Sequence, residues 1–267
     1  KRVIKATSTL VPLMGVIYIS VAFILTIMHI NLVPGVVGRI FAEAFDFTAI
    51  FGGFAGSCMM FGIKRGLYSN EAGVGSAPNA AAAADVSHPV KQGLVQMLSV
   101  FIDTLLICTA TAFMCLSSGI EPTKELAGAP YVQAALAASM GDYAKLFITV
   151  SMVLFAFTTL LGNLYYVDNA FAYVLKHVPG KTFTLCYRIL ACVLIFIGAG
   201  SSMGTMWDLA DVTMGFMAII NLPVICILGG PALRALDDYT EQRDAGKNPE
   251  FKASKIGLTQ KLDYWQD

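Results

Sequence analysis

The stretch RGLYSNEAGVGSAPNAAAAAD, Arg65–Asp85, decides how the rest of the chain is read. It is small and polar, with three glycines, two acids, a base and a proline, yet it interrupts an otherwise oily sequence. A plain loop would be enough to join two helices. Just before it the chain reads IFGGFAGSCMMFGIK, Ile50–Lys64. Gly52 and Gly56 form a GxxxG face, which lets a neighbouring helix approach closely. Gly62 and Gly66 follow, four apart, and then Gly73 and Gly75. Each glycine costs about 1 kcal/mol in a helix interior relative to alanine, so an unwound segment is expected here. Non-helical backbone at membrane depth is tolerated only where protein or a water-filled cavity satisfies it. Transporters use such breaks to offer amides and carbonyls to ions and carboxylates. On composition alone, a glycine-rich loop that only packs fits equally well.

The oily character is general. Of 267 residues 56% are hydrophobic and only 13% charged, about half the charged share of a soluble domain. A bilayer-spanning helix needs about 20 apolar residues, and six runs approach that length. They are Ile4 to Ile30, Phe47 to Ile63, Val90 to Leu116, Tyr143 to Tyr166, Phe183 to Gly200 and Leu209 to Leu228. The second is short and is expected to continue into the opening stretch after a break. The fold class is therefore an all-α integral membrane protein. Residues 1–233 form the six-span region, and 234–267 a polar tail expected to be solvated. Net charge is zero and no basic run points to nucleic acid. The six cysteines form no CxxC pair and read as small hydrophobes, with no disulfide framework and no metal site.

Basic residues in short loops set orientation. Lys1, Arg2, Lys5, Lys64, Arg65, Lys91, Lys176, Lys181 and Arg188 fall on one side. Arg39, Lys124 and Lys145 fall on the other, among acids. Both termini are predicted to be cytoplasmic, in a multi-pass protein of the plasma or inner membrane. Two segments on the outer side are more than linkers. GVVGRIFAEAF, Gly35–Phe45, has the spacing of an interfacial amphipathic helix. APYVQAALAASMG, Ala129–Gly141, reads as a short helix started by Pro130 and ended near Gly141, either a re-entrant cap or a surface helix. The opening KRVIKATSTL already enters a span and reads as a fragment or processed half.

The residues RGLYSNEAGVGSAPNAAAAA, then HPVKQG (His88–Gly93) and FIDT (Phe101–Thr104), resemble the alanine or glycine:cation symporter family, also called the sodium:alanine symporters. FAFTTLLG (Phe155–Gly162) and WDLAD (Trp207–Asp211) match further family segments in order, so the resemblance covers nearly the whole chain. It implies a leucine-transporter-like inverted-repeat fold of the amino acid-polyamine-organocation superfamily, of which this chain holds core helices five to ten. The first repeat is then expected as a missing partner from the same protein. The resemblance further implies a secondary transporter, not an enzyme. Its work would be sodium-coupled symport of small neutral amino acids (alanine, glycine or glutamine), with Na+ as coupling ion and no organic cofactor. A membrane-embedded scaffold or subunit without transport of its own is the alternative. On this template the second span is a broken helix with substrate at Phe61, Gly62, Gly66 and Tyr68. Arg65, Asn70, Glu71 and Gly73 belong to an arm that moves at the inner gate. Glu71 either pairs with Arg65 or caps exposed amides.

Asp103 lies near the middle of the third span. A carboxylate there costs roughly 2.5–3.5 kcal/mol on insertion scales, so it is expected to face an ion, a cavity or a donor. The resemblance makes it a sodium-site candidate, beside Thr104 and below Thr109 and Thr111. Phe155, Thr158 and Thr159 are candidates on the same ground, since sodium favours hydroxyl and carbonyl oxygens. Without the resemblance, these threonines would simply bond back to the preceding turn. One departure concerns substrate choice. Where many members carry TTILGW, this chain has TTLLGN, with Asn163 in place of the tryptophan. Asn163 follows Thr159 by one helical turn on the same face, and its amide brings both a donor and an acceptor. Glutamine is the first expectation. His29, His88 and His177 fall at span ends and make no catalytic constellation. Asp208 and Asp211 are expected to cap the sixth span rather than to attract cations, and Tyr165 and Tyr166 suit the interface.

Overall fold

The computed structural model describes residues 2–44, 62–66, 68–71, 73–121, 123, 126, 128–258, 262 and 265. Among them there is helix and no strand. Helix α1 is Arg2–Met28, α2 Val33–Ala44, α3 Ala77–Ala81 and α4 Pro89–Phe101. A π-helical segment, Ile102–Cys108, joins α4 to α5, Thr109–Leu116. Then come α6 (Ala129–Met140), α7 (Asp142–Leu175), α8 (Lys181–Ala199) and α9 (Met203–Asp244). Among the described residues, five helical stretches are long and apolar enough to cross a membrane: Leu10–Met28, Pro89–Leu116, Asp142–Leu175, Lys181–Ala199 and Met203–Asp244. The chain is thus a multi-pass membrane protein. The expected span Phe47–Ile63 lies outside the described residues except at its end.

The chain divides into two compact units. The first comprises Lys1–Gly66 and Phe101–Tyr165. Its core gathers Tyr18, Ala22 and Leu25 of α1, Met114 of α5, Leu136 of α6, and Ala144 and Ile148 of α7. Alanines at these contacts let helices approach closely, as small residues do in membranes. Thr111 donates its hydrogen to the Ile107 carbonyl at 3.0 Å. The Tyr18 hydroxyl, 2.8 Å away, therefore donates to the Thr111 oxygen and ties α1 to α5. Helix α6 starts with Pro130 in its first turn and stops at Gly141, whose φ of +67° no helix continues. With Leu136 in this core and Ala135 also buried, α6 is neither isolated nor a loose surface helix.

The second unit comprises Leu67–Val100 and Tyr166–Asp267. Phe171 of α7 meets Phe183 and Tyr187 of α8, and Arg188 pairs with Asp168 at 3.0 Å. Three expectations need correction here. The last span does not stop at Leu228. Gly229, Gly230 and Pro231 usually punctuate a helix, yet α9 runs 42 residues through them, about 63 Å at 1.5 Å per residue. Asp208 and Asp211 do not cap it, because it starts at Met203 and Ser202 is the cap, accepting from the Thr205 amide. Nor is the tail simply solvated. Phe251, Ala253 and Ile256 are buried against Ala235 of α9 and Val90 of α4, since a chain that turns back on its helix removes these apolar groups from water.

The Tyr18–Thr111 bond should be measurable. Tyr18→Phe is expected to lower stability by about 0.6–1 kcal/mol. Thr111→Val should add little once the tyrosine hydroxyl is gone. Thermal unfolding of both single variants and the double variant in detergent tests this, and additive losses would show that the pair is uncoupled.

Candidate functional site

The residues expected to act together fall into two groups, one in each unit. In the first unit, residues 62–66 are helical. The unwound backbone expected at Gly62 and Gly66 is therefore not there, and a Cβ added at either would meet nothing within 4 Å. Arg65 lies in that helical turn, and Phe61 lies outside the described residues. Asp103 sits in the π-helical segment Ile102–Cys108. Such i→i+5 segments are rare and occur often at functional sites. Thr109, the first residue of α5, reaches back five residues into it, its hydroxyl donating to the Thr104 carbonyl at 3.3 Å.

On α7, the Thr158 hydroxyl donates to the carbonyls of Leu154 and Phe155, both at 3.0 Å. This is the local back-bond expected of any helical threonine. It uses the hydrogen and leaves the oxygen lone pairs to face an ion, so it does not remove Thr158 as a ligand. The Phe155 ring stands edge-on to Tyr18, 6.0 Å away, in the core of the unit. Thr159 and Asn163 are both exposed, one turn apart on α7.

In the second unit the irregular backbone lies further along than the glycine count implied. Glu71, Gly73 and Gly75 all have positive φ, at +51°, +80° and +94°. Glycine adopts this region at little cost, whereas for glutamate it is uncommon. Glu71 is held there by local bonds. Its amide donates to the Tyr68 carbonyl at 3.2 Å, its carbonyl accepts from the Val74 amide at 3.3 Å, and its carboxylate accepts from the Ser76 hydroxyl. That last bond lies inside the turn, so Glu71 braces the turn on itself.

The turn rests on the middle of α9. The Asn221 amide donates to the Gly73 carbonyl at 3.0 Å. A Cβ on Gly75 would lie 2.9 Å from the Asn221 side chain, and one on Gly73 would lie 3.0 Å from Leu222. Both glycines are thus favoured by φ, and Gly75 also by its close contact with Asn221. Tyr68 meets Trp207 edge-on at 5.3 Å, and Asn169 reaches the Asn79 carbonyl at 3.5 Å. Asn221 was missed from sequence, although the signal was there: a lone amide within IINLPVICIL, as unusual in an apolar run as Asp103. His29 and His177 each donate from Nδ1 to a local carbonyl, that of Leu25 and that of Leu175. No cluster of three or more His, Cys, Asp or Glu fit for a metal occurs among the described residues. Hydroxyl, carbonyl and single-carboxylate oxygens remain, which suit an alkali cation better than a transition metal.

Comparison with known proteins agrees with the motif reading. The model of the sodium:alanine symporter family matches residues 1–253. The amino-acid carrier protein AlsT of Bacillus subtilis is 42% identical over 267 residues, covering 100% of this chain and 56% of the relative. The probable sodium/glutamine symporter GlnT of the same organism is 41% identical, covering 99% and 55%. A sodium/proton-dependent alanine carrier protein of Bacillus sp. is 38% identical, covering 100% and 63%. The chain thus spans about half the length of the curated relatives it matches.

The turn predicts a particular non-additivity. Gly75→Ala should cost about 1–3 kcal/mol, from φ strain and from the contact with Asn221. In an Asn221→Ala background the contact part should vanish and only the strain part remain. Unfolding of the two single variants and the double variant in detergent measures this, and an equal cost of Gly75→Ala in both backgrounds would refute the close approach.

Proposed function

Because the chain belongs to the sodium:alanine symporter family, we propose that it acts in secondary active transport, the symport of a small neutral amino acid with sodium. The family match over residues 1–253 carries this reading. The braced, non-helical turn at residues 71–76 supports it, since broken backbone is where this kind of transporter meets its ligands. Helices five to ten of a leucine-transporter-like inverted repeat are the arrangement we infer. The relatives are longer single chains, which gives no support to a first repeat supplied as a separate partner. Nor does any observation favour a non-transporting scaffold.

In this reading Asp103, Phe155, Thr158 and Thr159 supply the oxygens for sodium, by carboxylate, backbone carbonyl and hydroxyl. Phe61, Gly62, Gly66, Tyr68 and Asn163 meet the amino acid. Arg65, Asn70, Glu71 and Gly73 belong to the moving arm on the cytoplasmic side, where both ends of the chain lie. A zwitterion and one sodium ion carry one net charge. The membrane potential then contributes about 2.3 kcal/mol per 100 mV to uptake, besides the ion gradient. Alanine and glycine are the base expectation. The amide of Asn163 favours glutamine, because a site built to hydrogen-bond discriminates by about 1–3 kcal/mol against a ligand that leaves it unmatched. A relative named as a probable sodium/glutamine symporter supports including glutamine.

The experiment is uptake of labelled alanine, glycine and glutamine by the full-length protein in proteoliposomes, with and without an inward sodium gradient. Sodium-driven accumulation is expected. Thr159→Val should raise the sodium concentration for half-maximal uptake severalfold at similar expression. Asn163→Trp should shift competition from glutamine toward alanine. Uptake that ignores sodium, or no uptake of any amino acid, would overturn the reading.

A further inference from the structure

His88 is one of the largest fully enclosed side chains in the structure, with 0% exposure, and nothing in the transport reading uses it. It precedes α4, in the join that leads from the arm into that helix. The Val90 amide donates to its Nδ1 at 3.2 Å. Nδ1 is therefore the acceptor, the imidazole is neutral, and Nε2–H donates to Asp238 of α9 at 3.4 Å. The rings of Tyr239 and Phe251 close over it, each 5.2 Å away. Phe251 belongs to the tail, and its amide donates to the Ser87 carbonyl at 3.0 Å.

The tail is clasped here at several points. Ser87 donates to the Pro249 carbonyl at 2.8 Å, and Lys91 to the Asn248 side chain at 2.6 Å. Trp265 donates to the Val86 carbonyl at 3.3 Å. Gln242 of α9 exchanges two bonds with Glu250. Lys255 of the tail donates to Asp238, the same carboxylate that His88 uses, and its ammonium also lies 3.9 Å from Glu241.

The charges decide what a proton would do. Asp238 is buried and already matched by Lys255. A proton on His88 makes the trio net positive, with Lys91 of α4 as a further nearby cation. It also puts a hydrogen on Nδ1, where the Val90 N–H already points, and encloses a charge between two rings at a site of 0% exposure. Glu241 faces Lys255 rather than the imidazole, and Tyr239 offers only its ring.

We propose that His88, Asp238 and Lys255 form a proton-binding site that keeps the tail closed on the start of α4 while His88 is neutral, and that protonation releases the tail and slows transport. The regulatory half rests on the transport reading above. The clasp itself does not. Release would free the join between the arm and α4, whose turn at residues 71–76 is seated on the same α9, so the maximal rate falls. Burial holds the His88 imidazole below the ordinary histidine range, although the hydrogen bond and charge of Asp238 act the other way. The sign follows: an opened tail takes up the proton that the closed one refuses. The clasp is fully stable above the ordinary histidine value of about 6.5, and weakens as pH falls below it.

Acrylamide quenching of Trp265, isolated by difference against Trp265→Phe, reads the tail in detergent-solubilised full-length protein. Quenching should rise severalfold between about pH 7.5 and about pH 5.5, one unit either side of the ordinary histidine value of about 6.5. His88→Gln, which keeps a donor and cannot titrate in this range, should stay closed at both. Phe251→Ala, which opens the cage but keeps the histidine, should be quenched equally at both. Unchanged quenching in the parent protein, or an acid response retained in either variant, would overturn the clasp. In proteoliposomes, acid on the tail side should lower the maximal uptake rate with KM unchanged, and His88→Gln should lose that fall. Identical pH profiles in the two proteins would overturn the regulation. Absence of all uptake with the quenching response intact would overturn only the transport reading.

Discussion

The hydrogen bond from Asn221 to the Gly73 carbonyl governs the second unit. A turn with left-handed residues at 71, 73 and 75 cannot satisfy its backbone as a helix does, and an unmet carbonyl in apolar surroundings costs several kcal/mol. The partner has to come from another element. Asn221 supplies it from the middle of α9, at the cost of placing an amide within an apolar helix. Each polar group is acceptable because of the other. A side chain at position 75 would press on the Asn221 amide, and positive φ at both 73 and 75 favours glycine. It also requires α9 to be regular at 221 while Pro223 follows two residues later, and the helix continues unbroken. The same helix carries Asp238 and Ala235 to the tail, so the turn and the tail are referred to one rod.

The first unit solves its packing differently. Its core contacts use alanines on α1, α6 and α7, with Tyr18 as a large polar side chain among them. Dispersion and close approach do the work there, because lipid tails are as apolar as leucine and give helices no hydrophobic reason to meet. The Tyr18–Thr111 bond adds direction. It lies just past the π-helical segment, so Asp103 and the core contact of α5 are joined by irregular helix.

Five of the six expected spans were legible, because apolar length is a one-dimensional property: a run is long enough or it is not. The two helices at Val33–Ala44 and Ala129–Met140 were legible from periodicity, proline and glycine. The break was misplaced because glycine permits irregular backbone without demanding it. Gly62 and Gly66 lie in helix, and the demand falls at Gly73 and Gly75, through positive φ at both and the close approach of Asn221 at Gly75. That Glu71 joins them with a positive φ follows from its bonds to Tyr68, Val74 and Ser76 and not from its type. The end of α9 was misread because Gly229, Gly230 and Pro231 are local signals, while the helix is continued by packing against a tail that sequence alone marks only as polar. His88 looked like a loop residue for the same reason: its enclosure is made by residues some 150 and 163 positions away, Asp238 and Phe251.

The π-helical segment has a consequence for how this span is written in codons. An α-helix turns about 100° per residue, and a π turn holds about one residue more than an α turn. Between Phe101 and Thr109 the chain therefore spends one residue that adds little to the length of the rod but rotates everything beyond it. A regular α-helix that presented Thr111 to Tyr18 from the same starting face at Phe101 would need one residue fewer. The segment has the form of a single-codon insertion absorbed without loss of helix. Aligning this span by position with a relative that lacks it calls for a one-residue gap within Ile102–Cys108, and an ungapped alignment would put every residue beyond it out of facing by about 100°.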